Sequence, residues 1–149
     1  MRSISALRVV ALVSLLCLLV PALAAAQSLK VRKYQAQQEE RLKAEYEYTR
    51  EQCSVPELEV TFDWSGFPES AADGYAAYGY CDNGALNAME SLCTSDALSK
   101  EAVQTQIQKV VCTFGTQGWT LQDGVLTFTI DFDDVDDFAR GKEFLLNNL

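Results

Sequence analysis

The sequence predicts an α+β domain in which an antiparallel sheet of three to four strands is covered by amphipathic helices and cross-linked by two disulfides. Three observations carry this expectation. Residues 28–52 contain no Gly or Pro and are built from strong helix formers. Two-residue alternation flanks Asp123-Gly124 near the C-terminus, the composition of a tight hairpin. Four cysteines, Cys53, Cys81, Cys93 and Cys112, remain once an N-terminal leader is set aside.

That leader spans 1–26. Arg2 and Arg8 stand without an acid, Val9 to Val20 is apolar or small, and Pro21 precedes small residues up to Ala26. The apolar run is about 12 residues against the roughly 20 that a membrane span needs, so cleavage after Ala26 is expected. Cys17 then leaves with the leader, and Leu16 before it is not the small residue that a lipid-anchored cysteine follows. The mature chain, 27–149, is expected to be one domain in a periplasmic or secreted setting. It keeps ten basic residues against 21 acidic ones, a net charge of −11 compared with −9 for the whole chain. No later segment is long or apolar enough to cross a membrane.

Taken in order, 28–52 predicts a helix whose thin apolar stripe is Val31, Tyr34, Leu42, Tyr46 and Cys53, with Gln38 and Thr49 filling the gaps. Pro56 ends it. Leu58, Val60, Phe62 and Trp64 alternate with Glu57, Glu59, Thr61 and Asp63, which predicts a half-buried strand. Ser65 to Tyr80 lacks a period and reads as a long, mostly irregular loop. A second helix follows, capped by Asp82 or Asn83, with Leu86, Met89, Leu92 and Cys93 inward. Ser99 is the expected cap of a third, carrying Val103, Ile107 and Val110, and the two should form an antiparallel hairpin. From Lys109 the period falls to two, and registration across Asp123-Gly124 sets Leu121 opposite Leu126 and Trp119 opposite Phe128. Asp133 to Leu149 closes the chain as an amphipathic helix with Val135, Phe138, Ala139, Leu145, Leu146 and Leu149 as its apolar set and acids in its first turn.

Geometry narrows the cysteine pairing. A continuous helix from Asp82 to Leu92 separates Cys81 from Cys93 by about 18 Å, whereas a disulfide needs Cα atoms about 5.5 Å apart. Cys81 with Cys112 and Cys53 with Cys93 is favoured, because a helical hairpin returns the chain toward its own start. The rival, Cys53 with Cys81 and Cys93 with Cys112, stays open.

The absence of histidine removes triads, imidazole metal ligands and proton shuttles, and the cysteine spacing contains no close ligand pair for zinc. The acidic balance offers nucleic acid no basic surface, and the glycines form no phosphate cradle. Asp131, Asp133, Asp134, Asp136 and Asp137 invite a calcium reading. Counted from Asp131, however, Val135 and Asp136 fall where a calcium loop needs an oxygen ligand and a Gly, so no metal or other cofactor is expected. Asp63, Glu69, Asp73 and Asp82 flank an aromatic stretch and are the carboxylates from which an acid/base pair would be drawn. Within that stretch Trp64, Phe67, Tyr75, Tyr78 and Tyr80 are the candidate binding residues, being large, rigid and tipped with polar atoms. The expected function is that of a non-catalytic binding module, its acidic surface selecting a basic envelope or secreted protein. The alternative is a carboxylate-dependent enzyme acting on envelope glycans.

Overall fold

The computed structural model describes residues 28–134 and 137–149. The expected leader lies outside the described residues, as do Val135 and Asp136 of the expected closing helix.

Helix α1 (Leu29–Cys53) begins where the Ser28 hydroxyl accepts the Val31 amide at 3.2 Å, and ends where Ser54 turns left-handed with φ 58°. Its buried residues are Val31, Tyr34, Gln38, Leu42, Thr49 and Cys53, the expected stripe with both polar gap-fillers included. Those two can be buried because each has a partner. Gln38 accepts the Tyr78 amide at 3.2 Å, and the Thr49 hydroxyl donates to Glu90 Oε1 at 2.6 Å. Tyr46 lies only partly buried at the margin.

Strand β1 (Glu59–Phe62) follows, and after it a 3-10 turn (Glu69–Asp73) and helix α2 (Ala77–Cys81). The span expected to be mostly irregular is therefore ordered in part, and its helix begins before Asp82 or Asn83. The reason is tertiary. The Tyr34 hydroxyl, projecting from α1, accepts the Ala77 amide at 3.1 Å and donates to the Tyr75 carbonyl at 2.9 Å, so a side chain 43 positions away caps α2. A π turn (Asp82–Leu86) links α2 to α3 (Asn87–Ser95), and Asp96 alone joins α3 to α4 (Ala97–Gln106). Asp96, not Ser99, is the cap of α4. Its Oδ1 accepts the Ser99 amide at 2.8 Å and its Oδ2 the Ser99 hydroxyl at 2.7 Å.

Strands β2 (Lys109–Phe114), β3 (Gly118–Gln122) and β4 (Val125–Ile130) complete a four-stranded sheet ordered β1-β2-β4-β3. The hairpin forms in the expected register, Leu121 against Leu126 and Trp119 against Phe128, with Asp123 at φ 50° and Gly124 at φ 79°. The all-antiparallel expectation is overturned. β1 runs parallel to β2, β2 runs parallel to β4, and only β3 with β4 is antiparallel. Two physical reasons account for this. The helical crossover from β1 returns the chain to the end where β1 began, as parallel pairing requires. The β3–β4 hairpin then inserts its second strand, not its first, beside β2. Alternation in β2 and β4 pointed to antiparallel pairing because parallel strands are usually covered on both faces. Here Val110, Cys112, Phe114, Leu126, Phe128 and Ile130 are buried under the helices, while Val111, Thr113, Thr127 and Thr129 face outward and remain partly exposed.

The disulfides are Cys53–Cys93 and Cys81–Cys112, with Cα separations of 5.1 and 5.8 Å. The first holds the end of α1 on α3, and the second pins α2 to the central strand β2. Helix α5 (Asp137–Asn148) docks through Asp137, Gly141 and Leu145. Phe138 and Leu146, expected inside, are 44% and 59% exposed. The stripe is selected by Gly141, which brings the helix backbone against the π turn; a Cβ there would stand 2.3 Å from the Gly84 carbonyl oxygen. Among the described residues no helix is long and apolar enough to cross a membrane.

Candidate functional site

The parallel strands deliver aromatic residues to one edge. β1 runs out through Phe62 to Trp64, β2 ends at Phe114, and β4 runs out through Ile130 to Phe132. In open parallel sheets the crevice beyond the carboxyl ends of the strands is the usual place for a ligand. The chain after β1 folds back over this edge at Gly66, which takes φ 78° and passes so close to β2 that a Cβ would lie 3.0 Å from the Phe114 carbonyl oxygen.

Phe67, carried back by that turn, stacks on Tyr34 at 5.2 Å and meets Phe114 edge-on at 5.0 Å. Phe132 receives Tyr75 at 4.8 Å and the edge of Tyr80 at 5.1 Å, and the Tyr80 hydroxyl donates to the Phe132 carbonyl at 3.3 Å. These contacts leave a groove of about 420 Å³, floored by Phe114 and Phe132, walled by Tyr75 and Pro68, and edged by Asp131 and Asp133.

The five aromatic candidates divide. Trp64 and Phe67 belong to the packed aromatic layer beneath the groove, with the Trp64 indole donating to Glu39 at 2.7 Å. Tyr80 buttresses Phe132 from behind. Tyr75, 40% exposed, is the one whose ring lines the open groove. Tyr78 lies apart, with the Arg41 guanidinium 5.3 Å over its ring. Sequence reasoning missed Phe114 and Phe132, which read as strand positions, and gave Asp131 and Asp133 to helix capping or calcium. The available signal was the triplet Asp131-Phe132-Asp133 at the end of a buried strand.

The groove is negative at neutral pH. Among the described residues the ion pairs are Lys30 with Asp73, Arg50 with Glu47, Lys109 with Glu59, and Arg140 with Asp134; none reaches Asp131 or Asp133. Asp131 Oδ1 accepts the Asp133 amide at 3.1 Å, which holds the Asp131 carboxylate against the turn that carries Phe132 and Asp133. Burial, followed by the neighbouring Tyr75, Asp137 and Asp133, raises the Tyr80 hydroxyl above its ordinary value. Within the same acidic stretch Asp134 is bound bidentately by Arg140, and buried Asp137 accepts from Gln117. Among the described residues no three or more acidic or cysteine side chains are arranged to hold a metal ion.

The carboxylates that flank the aromatic stretch do not converge. Asp63 is turned onto the Ser65 amide at 2.9 Å, Asp73 pairs with Lys30, and Asp82 sits on the π turn, bonded by Asn87 at 3.1 Å. Burial, then the charges of Glu45 and Glu90, push the Asp82 carboxyl up to about 6. Glu90 is raised for the same first reason, against the hydrogen bond from Thr49. A raised carboxyl takes up its proton more readily in the folded state. Its stabilisation is therefore complete below pH 3.8, the ordinary value, and is lost as pH rises through about 6. Asp82→Asn is expected to remove that loss and to stabilise the protein at pH 7.5 by about 1 kcal/mol, a figure discounted for partial solvent screening. Urea midpoints at pH 4.5 and 7.5 check it. A variant whose midpoint falls between those pH values as steeply as the wild type's would contradict the assignment.

No family model, no curated protein and no solved structure matches the chain.

Proposed function

We propose that the chain is an exported, non-catalytic interaction module that uses the groove beyond β1, β2 and β4 to hold a positively charged partner protein, of the envelope or secreted. The observation that carries the reading is the conjunction of an exposed Tyr75 ring with Asp131 and Asp133, acids that no cation of the described residues pairs. Export is supported by the leader pattern and by two disulfides, which persist in oxidising compartments. The excess of acids over the whole chain would speed encounter with a basic surface and make it sensitive to salt.

The test is a titration of the oxidised mature domain with a short basic peptide and with an acidic peptide of equal length. Binding of the basic peptide that weakens by at least about tenfold between 20 and 300 mM salt, with none of the acidic one, is expected. Failure of the basic peptide to bind at either salt sinks the proposal.

One observation favours a second reading, action on envelope glycans. Asp82, titrating near 6 beside Glu90, is the kind of carboxyl that serves as a general acid. Release of soluble fragments from purified peptidoglycan, abolished by Asp82→Asn, would establish it and end the first reading; intact peptidoglycan after prolonged incubation removes it.

A further inference from the structure

We infer that the groove at the carboxyl ends of the strands is a receptor for the guanidinium group of a single arginine side chain presented by the partner. This rests on the reading of the groove as a binding site and specifies what enters it. The floor and wall are aromatic. Phe114 and Phe132 stack on one another at 5.8 Å with their planes within 27°, and Tyr75 tilts against Phe132 at 4.8 Å while remaining 40% exposed, so Tyr75 is the ring accessible to a ligand in the groove. A ring face attracts a cation, and a planar, weakly hydrated guanidinium stacks on it more readily than a compact, strongly hydrated ammonium.

The rim supplies the matching acceptors. Asp131 and Asp133 flank Phe132 in the chain, and the bond from the Asp133 amide to Asp131 Oδ1 leaves the other carboxylate oxygens to accept from an incoming fork of N–H donors. A neutral side chain would leave both acids unmatched, and a phosphate or carboxylate would be repelled. The same pairing recurs within the molecule. Among the described residues the two cation–ring contacts are both made by arginine, Arg41 over Tyr78 at 5.3 Å and Arg50 over Tyr46 at 4.7 Å.

The experiment uses the oxidised mature domain and three peptides of one sequence, each with a single variable position carrying arginine, lysine or citrulline, the last an uncharged isostere. Affinity is measured at low salt for the wild type, for Tyr75→Ala and for the double variant Asp131→Asn, Asp133→Asn. Near-ultraviolet circular dichroism verifies that each variant keeps its fold. The arginine peptide is expected to bind about tenfold more tightly than the lysine peptide, and the citrulline peptide to lose at least that much. Tyr75→Ala should erase the preference for arginine while keeping residual charge-driven binding, and the double variant should abolish both.

Equal affinity for arginine and lysine, lost on neutralising the two acids, overturns the inference and leaves a basic-partner groove standing. A preference for arginine that survives both variants places the receptor elsewhere and also overturns it. Failure of every peptide to bind removes the groove's binding role altogether.

Discussion

Replacing Gly141 with alanine is expected to destabilise the protein by about 2–3 kcal/mol, even though alanine is the better helix former by about 1 kcal/mol. The added methyl would stand 2.3 Å from the Gly84 carbonyl oxygen, 3.1 Å from the Trp119 indole nitrogen and 3.3 Å from the Ala88 Cβ. None of these can yield alone. The Gly84 carbonyl belongs to the π turn and already accepts the Trp119 indole at 2.8 Å, so moving it breaks that partly buried hydrogen bond. Gly84→Ala meets the same crossing from the other side, with its Cβ 2.4 Å from two ring atoms of fully buried Phe128. Helix α5, the π turn and β4 thus meet at two glycines, and both variants should lower the urea midpoint by comparable amounts. Gly79→Ala, where nothing lies within 4 Å, is the internal comparison and should be neutral or slightly stabilising. Equal midpoints for all three variants would mean that the crossing is looser than described.

That crossing also marks where legibility in the sequence ends. Elements whose determinants are local were readable. Helix α1 carries its own cap in Ser28 and its stripe at 3.6-residue spacing, and the β3–β4 hairpin has Asp123-Gly124 to set both turn and register. Helix length excluded Cys81 with Cys93, the return of the helical hairpin favoured Cys53 with Cys93 and Cys81 with Cys112 over the rival left open, and the favoured pairing is the one that forms. What could not be read was specified across the chain. The Tyr34 hydroxyl starts α2, the close approach of Gly141 to Gly84, 57 positions away, selects the buried stripe of α5, and the insertion of β4 between β2 and β3 makes the sheet mostly parallel. The groove shares this property. Tyr75 was visible as an aromatic in a glycine-rich loop, but Phe114 and Phe132 become its floor only because three parallel strands end at the same edge. Asp131 and Asp133 become its rim only because β4 runs beside β2.

Eliminating the Cys81–Cys112 cross-link by exchanging both residues for alanine is expected to cost about 4 kcal/mol, from the entropy that a closed loop of this span removes from the unfolded chain. The sequence separation is 31, and both sulfurs are fully buried between α2 and β2. The same argument for Cys53–Cys93, with a separation of 40, gives a similar figure of about 4 kcal/mol. The two loops overlap from Cys81 to Cys93, so their contributions should not add, and loss of both should cost less than about 8 kcal/mol. Against the 5–15 kcal/mol typical of a domain, that loss still removes most of the margin. The consequence reaches the groove. Cys81 ends α2, which begins two residues after Tyr75 and carries Tyr80, while Cys112 lies two residues before Phe114. Reduction therefore frees the wall of the groove from its floor. Treatment with dithiothreitol is expected to abolish cooperative unfolding at 37 °C and binding of the basic peptide together, and reoxidation to restore both. A reduced domain that kept a sharp urea transition and full affinity would show that packing alone holds wall and floor together, and that the cross-links are dispensable to the fold.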